Sequence, residues 1–190
     1  MNGIAAALTS ALVLALGACV VSQEPLVSAE EAERDPRLPG AWEEVGGAAT
    51  AVVAEAEGGV YRIEHTEGDV QEHLVARLGR LGDHRILDLQ GVPAPEEATR
   101  PGSGDPVPAH LLVVLTLTGP DEARLAVLEP DSVAAAIRDG SLGLTASERD
   151  GDLVLHGGTA ALRAALAPFL DRPGVLAEAE VWRRSEPTMK

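Results

Sequence analysis

The residues with chemistry to offer are few. Five histidines, His65, His73, His84, His110 and His156, are the obvious general-base and metal-ligand candidates. No two of them stand in a His-x-His or His-x3-His arrangement, so metal binding has no local support. His65 alternates with Ile63 and Tyr61, which places all three on one face if the segment is a strand. Turned inward, Tyr61 and His65 would be polar groups in an otherwise aliphatic interior. His110 opens the most apolar run of the chain and is read in the same way. Tyr61, His65 and His110 are therefore the candidate ligand-contact residues, against the plainer reading of His65 as a hydrogen-bonded rim residue. A catalytic reading would require His65, Tyr61, His110 or Asp88 to converge in one cleft. No catalytic residue, metal site or cofactor is assigned from the sequence.

Other arrangements in the chain offer less. Ser141, in Asp139-Gly140-Ser141-Leu142-Gly143, carries the local cues of a helix-to-strand turn and lacks the Gly-x-Ser-x-Gly setting of an exposed nucleophile. Phosphate-binding glycine loops, HExxH and EF-hand loops are missing from the sequence. Acidic pairs such as Glu43-Glu44, Glu96-Glu97 and Asp121-Glu122 occur in a chain with 30 acids and read as solvated charge. General acid–base work needs two environments that split two pKa values, and adjacent loop carboxylates do not supply them.

The elements that must hold these residues are mostly short strands. Runs at Ala49–Ala54, Val60–Thr66, Val70–Leu78, Arg85–Leu89, Leu111–Thr118, Arg124–Leu128, Leu142–Ser147, Leu153–His156 and Ala179–Arg183 are separated by Gly and Asp turn signals. Leu74, Ala76 and Leu78 share one face, with His73 and Arg77 on the other. In Leu111–Thr118, Leu112 and Val114 oppose Leu111, Val113, Leu115 and Leu117, so this strand is expected to be buried in part on both sides. Two segments have helical spacing. Asp131 caps one, with Val133, Ala136 and Ile137 inward and Gly140 as the stop. Thr159 caps the other, with Leu162, Leu166 and Phe169 on one face and Pro168 expected to kink or shorten its last turn. Ala94 to Pro108 reads as a long surface loop, a candidate lid. The expected fold class is mainly β: an antiparallel barrel or barrel-like sandwich with two short α-helices.

Composition narrows the function further. The chain of 190 residues carries a formal net charge of −15 with a single lysine, Lys190, which opposes nucleic-acid binding because phosphates repel it. Its aromatic residues are Trp42, Tyr61, Phe169 and Trp182, too few for base-stacking platforms or for the aromatic girdles of an outer-membrane barrel. Residues 1–18 contain no charged side chain, and Ile4 to Leu16 is an apolar run shorter than a membrane-spanning helix needs. Small residues and the only cysteine follow. This is the design of a secretory signal. Counted through Val21, the stretch approaches spanning length, and an uncleaved anchor is the alternative. Ser22 to Gly40 is polar, acidic and punctuated by three prolines, and reads as a flexible tether that would span roughly 25 Å on average.

Leu16-Gly17-Ala18-Cys19 resembles the lipobox of bacterial lipoproteins. The resemblance implies that Leu16, Gly17 and Ala18 are recognised by signal peptidase II, that cleavage falls before Cys19, and that Cys19 carries the lipid. The first three residues contain no Lys or Arg, a departure from that pattern. It further implies a protein held in the bacterial cell envelope on the periplasmic side. Val20, rather than Asp, after the cysteine implies the outer membrane where the organism has one. Residues 40–182 also resemble a group of small bacterial lipoproteins without an established activity, through Gly40-Ala41-Trp42, Leu78-Gly79-Arg80-Leu81-Gly82, Leu87-Asp88-Leu89 and Pro108-Ala109-His110-Leu111. Gly-x-Trp opening a barrel is similar to the lipocalins, where the tryptophan lies at the closed end beneath a late arginine. Here that implies Trp42 under Arg183 or Arg184, as a cation–π pair. The second lipocalin motif, a Thr-Asp-Tyr turn, is missing, and the two helices depart from the lipocalin plan.

The expected organisation is a signal peptide (1–18), a lipidated Cys19 with its tether (19–40), a barrel-like domain (41–184) and a short tail (185–190). The expected function is a non-catalytic binding module for an apolar or amphipathic ligand or an envelope partner. The alternative is a solid structural or assembly scaffold, with an enzyme a third reading. The expected partners are the membrane, through Cys19, and that ligand or envelope protein.

Overall fold

The computed structural model describes residues 19–92 and 109–185. The signal segment with Leu16, Gly17 and Ala18, the candidate lid at 94–108 and the tail beyond 185 lie outside the described residues. Eleven strands form: β1 (Val20–Ser22), β2 (Gly40–Glu44), β3 (Ala49–Glu55), β4 (Val60–Glu67), β5 (Val70–Leu81), β6 (His84–Val92), β7 (His110–Leu117), β8 (Glu122–Val127), β9 (Thr145–Arg149), β10 (Asp152–His156) and β11 (Glu180–Ser185). Helix α1 (Pro130–Arg138) follows β8, and α2 (Thr159–Leu170) follows β10.

Strands β2 through β8 pair in chain order, and β11 inserts between β8 and β2. All eight are mutually antiparallel, so the ring closes into a barrel with no free edge. The expected barrel is thus found in its closed form rather than as a sandwich. The first half of β7 carries a second attachment. Val21 and Ser22 of β1 pair with Leu111 and His110, and β10 and β9 extend the sheet beyond β1.

The barrel wall separates two apolar cores. Inside lie Trp42, Tyr61, Ala76, Leu78, Leu87, Val113, Leu115 and Trp182. Outside, Leu81, Ile86, Leu112 and Val114 pack with Leu26, Val27 and the helix residues Val133, Leu162, Leu166 and Phe169. Strand β7 therefore buries both faces, as its two interleaved apolar sets require.

Two local expectations are corrected. Glu129, not Asp131, occupies the N-cap of α1, because Pro130 at the first helical position supplies a preset φ. Thr159 is the first residue of α2 rather than its cap, and its hydroxyl donates to the Pro25 carbonyl at 2.7 Å. Pro168 lies inside α2, which ends two residues later at Leu170, in keeping with a shortened last turn.

The largest correction concerns the tether. Val20–Ser22 is a buried strand, and Leu26, Val27, Asp35 and Leu38 are buried too. The Cys19 N–H donates to Asp152 Oδ1 at 3.0 Å, and Cys19 accepts from the Leu153 N–H at 2.8 Å. Glu33 then bridges to Leu78 of β5. The segment is part of the folded body because a few apolar side chains, spaced without period, find places along its path.

Candidate functional site

Polar side chains gather at three places. The first closes one end of the barrel. The Asp35 carboxylate sits beneath the inner residue Arg85, whose Nη1 lies 2.8 Å from it, and takes two bonds from the Arg37 guanidinium at 2.9 and 2.7 Å. These partners, Arg37 foremost, hold its carboxyl well below the usual carboxylate range. The Asp35 N–H donates to the Tyr61 hydroxyl at 2.8 Å, and burial pushes the Tyr61 phenol up. At the same end the Trp42 indole N–H donates to Leu38 O, and the Arg184 guanidinium lies 4.7 Å from the Trp42 ring centroid. The anticipated pairing of Trp42 with a late arginine is present, and Arg184 is the partner. Gly40, at φ +142, lies where a side chain would collide with that arginine.

The second place is further along the barrel interior. His65 does face inward, with its ring centroid 6.1 Å from that of Trp182 and Nδ1 3.4 Å from Glu72. The Trp182 indole N–H donates to Glu180 at 3.3 Å. Burial raises the Glu180 carboxyl, and the Glu44 charge adds to the rise. One Glu44 oxygen is buried without a partner among the described residues.

Tyr61 and His65 thus share a face as expected, but four residues along a strand separates them by about 13 Å. Around Tyr61 the barrel is full, whereas Ile63, between the two on the same face, is half-buried. Leu78 is 0% exposed, Tyr61 and Ala76 1%, and Leu115 3%, so no water-sized space adjoins these side chains. Tyr61 is committed to holding the end of the barrel shut.

The third place is on the outer face. His110 lies on the opposite side of the wall from Tyr61 and His65, so the three candidate residues do not form one site. His110 instead meets Asp88, with Nδ1 2.8 Å from Oδ1. The other Asp88 oxygen accepts the Leu26 and Val27 N–H groups at 2.7 and 3.0 Å. Cross-strand register sets Arg77 opposite Asp88 and Gln90 opposite His110. These four side chains, with Val60 and Val75, line a cleft of about 180 Å³. The Arg77 Nε is buried without a partner among the described residues.

Comparison of the chain with family models, with curated proteins and with solved structures yields no match. The reading of the sites accordingly rests on their geometry.

Of the residues required for a catalytic cleft, only Asp88 and His110 converge. Ser22 stands opposite His110 across β1 and β7, which brings a serine, a histidine and an aspartate to one region. The Ser22 hydroxyl is buried and donates to Glu24 O at 2.8 Å, which leaves its proton committed away from the imidazole. The Cys19 thiol is raised by burial, with Asp152 adding to the shift, the reverse of an activated thiolate. The described residues hold no cluster of three or more metal-ligating side chains. Arg77 and Gln90 were not singled out from the sequence. The one available signal was the placement of Arg77 on the outer phase of its strand.

Proposed function

We propose that the protein is a lipid-anchored lipoprotein of the bacterial cell envelope whose barrel is a non-catalytic module acting through its outer surface. Signal peptidase II would act at Leu16-Gly17-Ala18, and Cys19 would carry the lipid. Two acyl chains or more give stable anchoring where one is marginal. The observation that favours a surface module over an apolar-ligand carrier is the packed interior around Tyr61, Leu78 and Leu115. An aliphatic ligand would have to displace Leu78, Leu115 and their neighbours, which already exclude water. Small barrels are commonly filled by their own side chains. The scaffold reading therefore gains over the hollow one, and docking to an envelope protein is the work that remains for it.

The test is native mass spectrometry of the protein purified in detergent from the envelope of its own host. The expected mass is that of a chain beginning at Cys19 plus a diacylglyceryl modification, with no apolar molecule released on denaturation. A releasable apolar molecule would overturn the packed-barrel reading. An unmodified chain retaining residues 1–18 would overturn the anchor.

A further inference from the structure

The outer cleft has a donor and an acceptor that no other described residue engages. A carboxylate only accepts hydrogen bonds, so Asp88 takes the His110 bond as Nδ1–H. In the neutral ring this makes Nε2 an acceptor, and Nε2 has no hydrogen-bond partner among the described residues. Across the cleft, the buried Arg77 Nε–H has no acceptor. Asp88, its register partner, already receives one bond from His110 and two from backbone N–H groups. Because that Nε is closed off from solvent, a planar carboxylate in the cleft would meet the guanidinium through its Nη–H groups. Strands β5 and β7 flank β6, so the two groups spring from strands about 10 Å apart, with room for a small molecule between the side chains. Val60 and Val75 supply an apolar wall. At about 180 Å³ the cleft lies below the range of roughly 300–1,000 Å³ that holds drug-sized ligands.

We infer that this cleft binds a small hydroxycarboxylate, its carboxylate on Arg77 and its hydroxyl donated to His110 Nε2. Asp88 is a positioning residue that fixes the tautomer. Gln90, opposite His110, can donate to the carboxylate or accept from the hydroxyl. The ligand class follows from setting the Arg77 cation, unpaired among the described residues, across from the His110 imidazole. The inference does not depend on the lipoprotein reading.

The experiment is NMR titration of the full chain in detergent micelles with lactate, reading the Arg77 Nε–H and the His110 imidazole. Both resonances are expected to move saturably with a shared dissociation constant. Propionate, which lacks only the hydroxyl, is expected to bind about tenfold more weakly or worse, because it strands the imidazole acceptor. Arg77→Lys keeps the charge but loses the fork, and is expected to weaken lactate by a similar factor. If neither resonance saturates by about 50 mM lactate, far above a millimolar constant, the site is overturned. Equal binding of propionate would overturn the role of His110. The wild-type titration stands whether or not the Arg77 variant folds.

Discussion

Asp35 sits where the incoming chain, the barrel wall and two arginines meet, and its charge is what they share. Its carboxyl is held low in the fold, with Arg37 the largest cause. That contribution is therefore fully present above the unfolded aspartate value of about 3.9 and is lost as pH falls through the lower folded value. Asp35→Asn strands Arg85, and should cost about 3 kcal/mol in urea unfolding near neutral pH, the low end for breaking a buried ion pair. The deficit should shrink in acid as the wild type loses its own advantage. Glu180 has the opposite sign. Its folded value is raised by burial and by the Glu44 charge, so stability is complete below the unfolded glutamate value of about 4.3 and falls as pH rises through the folded one. Glu180→Gln keeps an acceptor for Trp182 and removes the crowded charge. It should raise the melting temperature near neutral pH and lose that gain in acid, with an effect below about 1 kcal/mol because the group is half in solvent. The inward face of Tyr61 and His65 was legible from alternation alone. The Asp88–His110 contact was not, since it needs the register of β6 on β7 across a long connection.

Strand β1 and the segment behind it show what a period-based reading passes over. Val-Val-Ser is too short to alternate, yet Val20 and Val21 are 3% and 8% exposed and hydrogen-bond into β7 and β10. Each buried valine is worth about 1.5–3 kcal/mol. A chain beginning at Ser22 should therefore unfold at clearly lower denaturant than one beginning at position 19 with Cys19→Ser, by about 3 kcal/mol. Gly79 reports on the same segment. A Cβ there would stand 2.7 and 2.9 Å from the Val27 methyl groups, closer than packed carbons approach. Gly79→Ala should cost about 1–3 kcal/mol and speed amide exchange at Leu26 and Val27, whose N–H groups are held by Asp88. Unchanged exchange at those two amides would mean that the segment is not clamped between β5 and Asp88. Strands β3 to β8 were readable because each repeats its face several times. Strand β2, Gly-Ala-Trp-Glu-Glu, was not, because its inward Glu44 interrupts the pattern and its partners come from distant sequence. The double burial of β7 was readable because both of its phases are apolar.

At the scale of the whole molecule, the proposed anchor and the observed fold meet at one residue. If Cys19 bears the lipid, the first strand starts at the next residue and no spacer separates barrel from bilayer. A 19-residue flexible tether would have allowed about 25 Å on average. The docked segment instead holds the β9–β10 turn, Arg149 to Asp152, against the Cys19 end through the Cys19–Asp152 hydrogen bond. A body of net charge −15 is then kept within about one Debye length, ~8 Å, of the headgroups, where anionic lipids repel it and turn it. Spin-labelled headgroups should therefore broaden the amides of Arg149 to Asp152 in the lipidated protein on vesicles. Insertion of a Gly/Ser spacer of tether length after Cys19 should abolish the broadening and leave the barrel amides in register. If those amides stay sharp without the spacer, anchoring must peel β1 from β7 and β10. The buried pairing of Val20 and Val21 would then belong only to the unanchored protein, and its loss on lipid binding would be measurable as the fall in stability argued for the chain beginning at Ser22.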